Sequence, residues 1–372
     1  MNSKSHYEIL DGLRGVVALM VMVFHIFEAI AFAEKSPEQD VFHGFLGVDF
    51  FFVLSGFVMG YAYDDRWKDM RFSEFIRRRL IRLHPMVVIG TMIGLIAFLI
   101  QGRTNWNGEV NDITTVLIST LLALFILPIL SKGLEVRGNT EMYPLNGPHW
   151  SLFYEYIGSL LYALVLHKMS TFAIKVLVIT MAVLLLLSAI IWGNNTIAYG
   201  WSYTPYSIYG GALRLLFAYP AGLLLARIFR TRKIRKTNKP VFLITSLTLI
   251  LLLAVPSITT ISGWKYANAI YQFMCVAICF PFIVGFAARG TAEGWKKRVI
   301  SYIGRLSYPL YAIHFPLVYL YIHWINTNQH PFGQWEYSTP IGVAVVNILI
   351  AILCLHFYDE PLRRYLNKKF VK

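Results

Sequence analysis

Residues 10–32 read LDGLRGVVALMVMVFHIFEAIAF. An apolar run of this length matches what a helix needs to cross the hydrocarbon core of a bilayer, yet it carries Asp11, Arg14, His25 and Glu28. Each such group is costly at membrane depth, so each is a candidate functional residue. Arg14 and His25 stand eleven residues apart, which leaves them about 20° apart on one helix face and separated by about 16 Å along its axis. Lys4, the apolar run and Ala29-Ile30-Ala31 together resemble a secretory signal, but Asp11 and Arg14 interrupt the run. The stretch therefore reads as a retained first span.

The rest of the chain repeats this character. Its 372 residues are 56% hydrophobic and only 15% charged, with a mean hydropathy of +0.54, against roughly 25% charge in a typical soluble domain. A single soluble core cannot hide that much apolar surface, which excludes a simple soluble enzyme. Cys275, Cys279 and Cys354 imply neither a disulfide framework nor a zinc site, and no His, Asp or Glu spacing suggests a metal.

Further apolar segments lie near 44–63, 84–101, 112–130, 150–167, 173–192, 207–229, 241–258, 267–288, 302–324 and 340–357. If all eleven crossed, Lys168, Lys175 and the basic loop 227–239 would fall outside, against the cytoplasmic preference of Lys and Arg. If 112–130, which contains Pro128, is re-entrant or lies on the surface, ten spans remain and both termini are cytoplasmic. Then 27 of the 34 Lys and Arg residues face the cytoplasm. The net charge of +14 becomes a property of that face, suited to anionic ligands or lipid headgroups and poor evidence for nucleic acid. The expected fold is an all-α polytopic membrane helix bundle: about ten transmembrane helices plus one re-entrant or surface helix near 112–130. It forms one membrane domain over 1–372 with no appended soluble domain.

Under this topology His25, Asp49, Glu155 and Arg214 lie five to seven residues from the outer edges of four different spans. Four costly groups at one depth suggest a shared polar chamber, although structural ion pairs holding the bundle together are the plainer alternative. At the cytoplasmic entry to span three stands Arg77-Arg78-Arg79-Leu80-Ile81-Arg82. Arg79 and Arg82 share a helix face and could fork around phosphate oxygens. Taken alone, the same run is a positive-inside stop signal.

Six motifs follow one another in order: Leu10-Asp11-Gly12-Leu13-Arg14 with His25; Gly47-Val48-Asp49 through Phe57; Arg78-Arg79-x-x-Arg82-Leu83-x-Pro85; Trp150-Ser151-Leu152-x-x-Glu155; Leu306-Ser307-Tyr308-Pro309-Leu310-Tyr311-x-x-His314; and Asp359-Glu360-Pro361. In this order and spacing the chain resembles the acyltransferase-3 family of integral membrane O-acyltransferases, from residue 10 to about 361. The resemblance implies transfer of an acyl group, usually acetyl, from cytoplasmic acyl-coenzyme A to a hydroxyl on an extracytoplasmic glycan or lipid-linked sugar, in a bacterial inner membrane. It matches Arg14 and His25 to the family's Arg-x10-His pair, and Arg79 with Arg82 to its basic element. Glu28 lies outside the motifs.

The expected mechanism docks coenzyme A phosphates on Arg78, Arg79 and Arg82, runs the pantetheine arm past Arg14, and uses neutral His25 as general base. Glu155 or Asp49 would orient the imidazole as the third member of a triad. Trp150, Ser151, Arg214 and His314 are the candidate acceptor-side residues; Arg214, Ser151 and Trp150 are also candidates for the oxyanion. His149 reads as a residue of the outer mouth, and the cysteines as packing residues. A transporter or flippase with a polar pathway, or a non-catalytic scaffold, would also place charges in the membrane, but no inverted repeat is visible. The acceptor, the acyl length and the oligomeric state have no signal.

Overall fold

The computed structural model describes residues 7–33, 41–231, 237, 240–258, 262–328 and 338–371. Lys4, Lys35 and most of the basic loop 227–239 lie outside the described residues. Eleven helices, joined by short 3-10 turns, make up the described architecture. They are α1 (Glu8–Ala33), α2 (Gly47–Tyr63), α3 (Phe72–Ile100), α4 (Ile113–Leu124), α5 (His149–Leu164), α6 (Thr171–Ile191), α7 (Pro205–Thr231), α8 (Val241–Leu253), α9 (Ala267–Ala287), α10 (Gly294–Asn328) and α11 (Ser338–Phe370). No strand forms among the described residues, only isolated bridges. Three free cysteines are present and no disulfide is formed.

Seven of these helices are long and apolar enough to cross a membrane: α1, α2, α3, α6, α7, α9 and α11. The remaining apolar stretches fall short for separate reasons. The helices α4, α5 and α8 have 12, 16 and 13 residues. In contrast, α10 runs for 35 residues, about 52 Å, but its first turns hold Lys296, Lys297 and Arg298. Charged turns of this kind explain why α3, α10 and α11 extend well beyond the apolar segments read from hydropathy. The helices continue past the apolar slab.

Packing fixes relative direction. A methyl placed on Gly12 would strike Ile300, and one on Gly15 would strike Ile303, so α1 and α10 lie side by side and parallel. The helices α2 and α7 also run parallel, with Gly56 against Tyr219 and Gly60 against Leu223 and Ala226. Their approach is closer still: a Cβ at Gly56 would sit 1.9 Å from the Tyr219 carbonyl oxygen, and one at Gly222 1.9 Å from that of Val53. Lipid offers no hydrophobic drive for helix association, so backbones at van der Waals distance supply the cohesion.

The start of α5 departs from the expected depth. Gly90, deep within α3, faces the His149 ring, and Gly94 faces the Leu145 carbonyl. Chain 141–148 thus packs along the second half of α3, and α5 begins about 15 Å back from the C-terminal end of α3. Segment 101–148, with α4, therefore leaves the bundle at that end of α3 and returns to it at the same end. The start of α4 is capped by Asp112, whose carboxylate accepts from the Thr114 amide at 2.8 Å. It ends at Leu124, before Pro128.

Replacing Gly56 by Leu is expected to cost at least about 1–3 kcal/mol through overpacking. Gly342, with open space around its Cα, should accept Ala without loss. Thermal unfolding of both variants in detergent measures the contrast.

Candidate functional site

The costly groups are resolved into pairs. Arg214 of α7 grips Asp49 of α2 through Nε at 3.0 Å and Nη2 at 2.6 Å, and its Nη1 donates to the Tyr199 carbonyl at 2.7 Å. Asp49 is 0% and Arg214 1% exposed, and the Trp150 ring lies 5.1 Å from the guanidinium. Two hydrogen bonds and a closed shell offset the desolvation of both charges. This corrects two expectations: Asp49 does not orient His25, and neither Arg214 nor Trp150 is open to an acceptor.

Glu155 is likewise committed. Its carboxylate accepts from Arg79 Nη2 at 2.6 Å, while Arg79 Nε donates to Ser159 Oγ at 3.0 Å. Since α5 starts deep, Glu155 lies near the level of the seventh or eighth residue of α3 and not in the layer of His25. It therefore does not orient the imidazole, and Arg79, 5% exposed, is held inside the bundle. A third buried pair carried no sequence signal. Arg227 Nε meets Asp64 Oδ2 at 2.7 Å, and Tyr162 donates to Asp64 Oδ1 at 2.8 Å. Arg227 had been counted only within a basic loop.

The partner of His25 comes from α10. His25 Nδ1 and His314 Nε2 are 2.8 Å apart, and His314 Nδ1 lies 2.9 Å from the Tyr311 carbonyl oxygen. A carbonyl only accepts, so the bond network assigns the proton of His314 to Nδ1. His314 Nε2 is then an acceptor, His25 donates from Nδ1, and His25 Nε2 carries a free lone pair. That nitrogen points toward Glu28 Oε2, 4.0 Å away, on the outer side of the ring. The His25 side chain keeps 15% of its surface exposed. His314, 0% exposed, is closed to an acceptor, against the expectation that placed it on the acceptor side. The motif Tyr311-x-x-His314 was visible in the sequence, but nothing there joined it to a residue 289 positions away.

Below the histidines runs a narrow cavity. Arg14, Arg79, Arg82 and Glu155 line its lower part, Phe51, Phe52, Met59 and Leu152 give it apolar walls, and Ser151 and Tyr311 stand at its head. The Ser151 and Tyr311 hydroxyls are 2.5 Å apart. Tyr311 precedes His314 by about one helical turn, about 4.5 Å of rise, and neither His25 nor His314 lines the cavity. Arg14 and Arg82 line the cavity with no ion pair or hydrogen bond among the described residues, whereas Arg78 is bound to Glu74 at 2.7 Å. His149, expected at the outer mouth, is fully buried beside Asn146. Among the described residues no group of His, Cys, Asp and Glu is arranged to hold a metal.

Segment 101–148 is fastened to α10 through Arg137. Its guanidinium lies 3.5 Å from the Tyr319 ring centre and donates to the Pro144 carbonyl and Gln101. Glu141 accepts a very short bond from the Tyr319 hydroxyl. Burial pushes the Glu141 carboxyl up to about 8, with the Arg137 charge opposing.

These features define an all-helical integral membrane protein with a histidine pair above a cation-lined internal cavity. The model of the acyltransferase-3 family, described as an acyltransferase domain, matches residues 7–358, and the chain belongs to that family. It is 24% identical over 95% of its length to a Staphylococcus aureus (strain COL) protein that carries a provisional O-acetyltransferase name. The match spans 57% of that relative's length. It is also 24% identical over 97% of its length, and 92% of the relative's, to the acyltransferase MdmB of Streptomyces mycarofaciens. A Rhizobium radiobacter protein known as protein 2 in the picA locus is 29% identical over 42% of the chain and 80% of its own length. No solved structure matches.

Because the Glu141 carboxyl holds its proton to about 8 when folded and releases it near the ordinary 4.5 when unfolded, the folded form binds more protons between those values. Stability conferred by this group is therefore full below about 4.5 and lost as pH rises through about 8. Glu141→Gln should flatten that decline, as read from unfolding midpoints across the interval.

Proposed function

We propose that the chain transfers an acyl group, acetyl in the simplest case, from cytoplasmic acyl-coenzyme A to a hydroxyl of an extracytoplasmic glycan or lipid-linked sugar. In this reading ten helices, all but α4, cross a bacterial inner membrane with both termini cytoplasmic. The parallel pairs α1 with α10 and α2 with α7 support that count, as does the return of segment 101–148 to one side.

The observation that carries the proposal is the free Nε2 lone pair of His25. His314 fixes the tautomer that leaves this nitrogen unprotonated, which is the state a general base requires. An acceptor hydroxyl placed beside His25 Nε2, on the side that faces Glu28, can donate its one proton to that nitrogen at about 2.8 Å. As that oxygen attacks the thioester carbonyl, its proton passes to Nε2. The carbonyl re-forms, the carbon–sulfur bond breaks, and the coenzyme A thiolate leaves and takes up a proton. Glu28, facing Nε2, stabilises the imidazolium that exists between these steps, the role once expected of Glu155 or Asp49.

The donor enters from below. Its anionic end meets Arg82, and its pantetheine arm follows the apolar walls past Arg14 toward Tyr311. Arg79 has a different part: locked to Glu155, it shapes the cavity wall. For thioester and base to meet, the Tyr311 side chain must swing away from Ser151.

His25→Ala should lower acyl transfer from labelled acetyl-coenzyme A by about 10²–10⁴-fold; a rate within a few-fold of the parent would end the base assignment. His314→Ala should slow transfer at least about tenfold. His314→Gln, which keeps an acceptor for His25 Nδ1, should recover part of that rate, an outcome that simple loss of packing would not give.

A further inference from the structure

A second cavity opens on the cytoplasmic side, between the first half of α3 and the end of α11. Arg78, Arg82, Glu360, Arg363, Arg364 and Asn367 line it. Four guanidinium groups thus share a small groove with one carboxylate. That carboxylate is already engaged, since Glu360 accepts from Arg305 at 2.9 Å on its far side. Arg363 is held by Asp359 at 2.6 Å and Arg78 by Glu74. Arg82 and Arg364 remain without a carboxylate partner among the described residues. Like charges crowded this way repel unless an anion joins them.

Two features make the groove more than a solvated basic face. Arg82 lines both this groove and the internal cavity, so one side chain marks the junction between the cytoplasmic opening and the path to Tyr311. In addition, α11 changes from apolar to basic through a π-helical segment, Cys354–Asp359, and only then presents Arg363, Arg364 and Asn367. Such one-turn irregularities re-aim the residues that follow. The end of α11 is also fastened in place, with Arg77 donating to the Phe370 carbonyl at 2.6 Å. The far wall of the groove, beyond Glu360, lies past the residues matched to the family.

We infer that this groove binds the nucleotide end of the acyl donor, a 3′-phosphorylated adenosine diphosphate, with Arg364 and Asn367 of α11 completing a phosphate site begun by Arg78 and Arg82. The inference rests on the acyl-coenzyme A reading above and deepens it. A terminal phosphate carries about −1.5 to −2 charge at neutral pH, and the diphosphate adds to it, which suits a groove of this cationic excess. Planar guanidinium forks match such oxygens. An anionic lipid headgroup offers the same phosphate chemistry, so the test must separate the two sources.

Adenosine 3′,5′-bisphosphate is the probe. In detergent it should raise the unfolding temperature of the parent protein, and Arg364→Gln with Asn367→Ala should weaken its apparent affinity at least about tenfold, the loss of one charge-assisted contact. Lys368→Gln, outside the groove, should bind as the parent does. In turnover, the preference for acetyl-coenzyme A over acetyl-pantetheine, taken as the ratio of kcat/KM values, should fall by a similar factor in the double variant. Unchanged bisphosphate affinity in the double variant would overturn the inference. So would a parent protein stabilised in nanodiscs by phosphatidylglycerol, through these residues, but indifferent to the bisphosphate. If the parent consumes neither thioester, the proposed reaction fails while the binding arm still decides the groove.

Discussion

The cost of holding a charge away from water governs this bundle. Arg79, Arg214 and Arg227 each lie buried, and each is met by a carboxylate on another helix, with hydroxyl or carbonyl groups taking up further donors. An unpaired charge at such depth is far more expensive than a pair. Three cross-helix bridges therefore tie α3 to α5, α2 to α7, and the end of α2 to the end of α7. Glycine contacts bring the same α2 and α7 backbones within touching distance. Electrostatic pairing and close packing select one register together: sliding α7 by a residue would break both.

Within that frame the unpaired groups stand out. Arg14 and Arg82 line the cavity without a carboxylate among the described residues, and His25 keeps a lone pair that no neighbour occupies. Arg82 is exposed and Arg14 half-buried, so unlike Arg214 they can be satisfied by water and stay accessible to an anion. Arg14 and His25 lie about 16 Å apart along α1, so the cation and the imidazole lone pair stand at different levels of the bundle.

Much of this was legible in the sequence. Composition established the membrane class and the all-helical fold, and seven of the helices are long and apolar enough to cross, against the ten spans expected from the placement of Lys and Arg. The depth argument located costly residues correctly but grouped them wrongly, for a physical reason. It assumed that every apolar segment begins at the membrane edge, whereas chain 141–148 dips inward and carries α5 with it, so Glu155 descends to Arg79. The same assumption placed His149 at the mouth when it is sealed. Pairing of His25 with His314 had no sequence counterpart, because helix periodicity relates residues within a helix and says nothing about two helices far apart in the chain. The glycines of α1, α2 and α7 offered the only such signal, a small-residue pattern that marks close crossings.

A histidine at this depth need not be a base, since an imidazole bonded at both nitrogens is an ordinary packing device. His314 is that case: it donates from Nδ1, accepts at Nε2, and is closed to solvent. His25 differs in one atom. Its Nδ1 is used, its Nε2 has no hydrogen-bond partner, and Glu28, 4.0 Å away, stands too far for a direct bond. Two residues of one type, joined by a hydrogen bond, thus differ in their free atoms because the backbone carbonyls of Tyr311 and Leu310 fix the tautomer of the first and through it that of the second. Tyr311 also stands at the head of the internal cavity, where its hydroxyl meets that of Ser151. One helical turn of α10 therefore sets the tautomers of the histidine pair through its backbone and lines the cavity with its side chain.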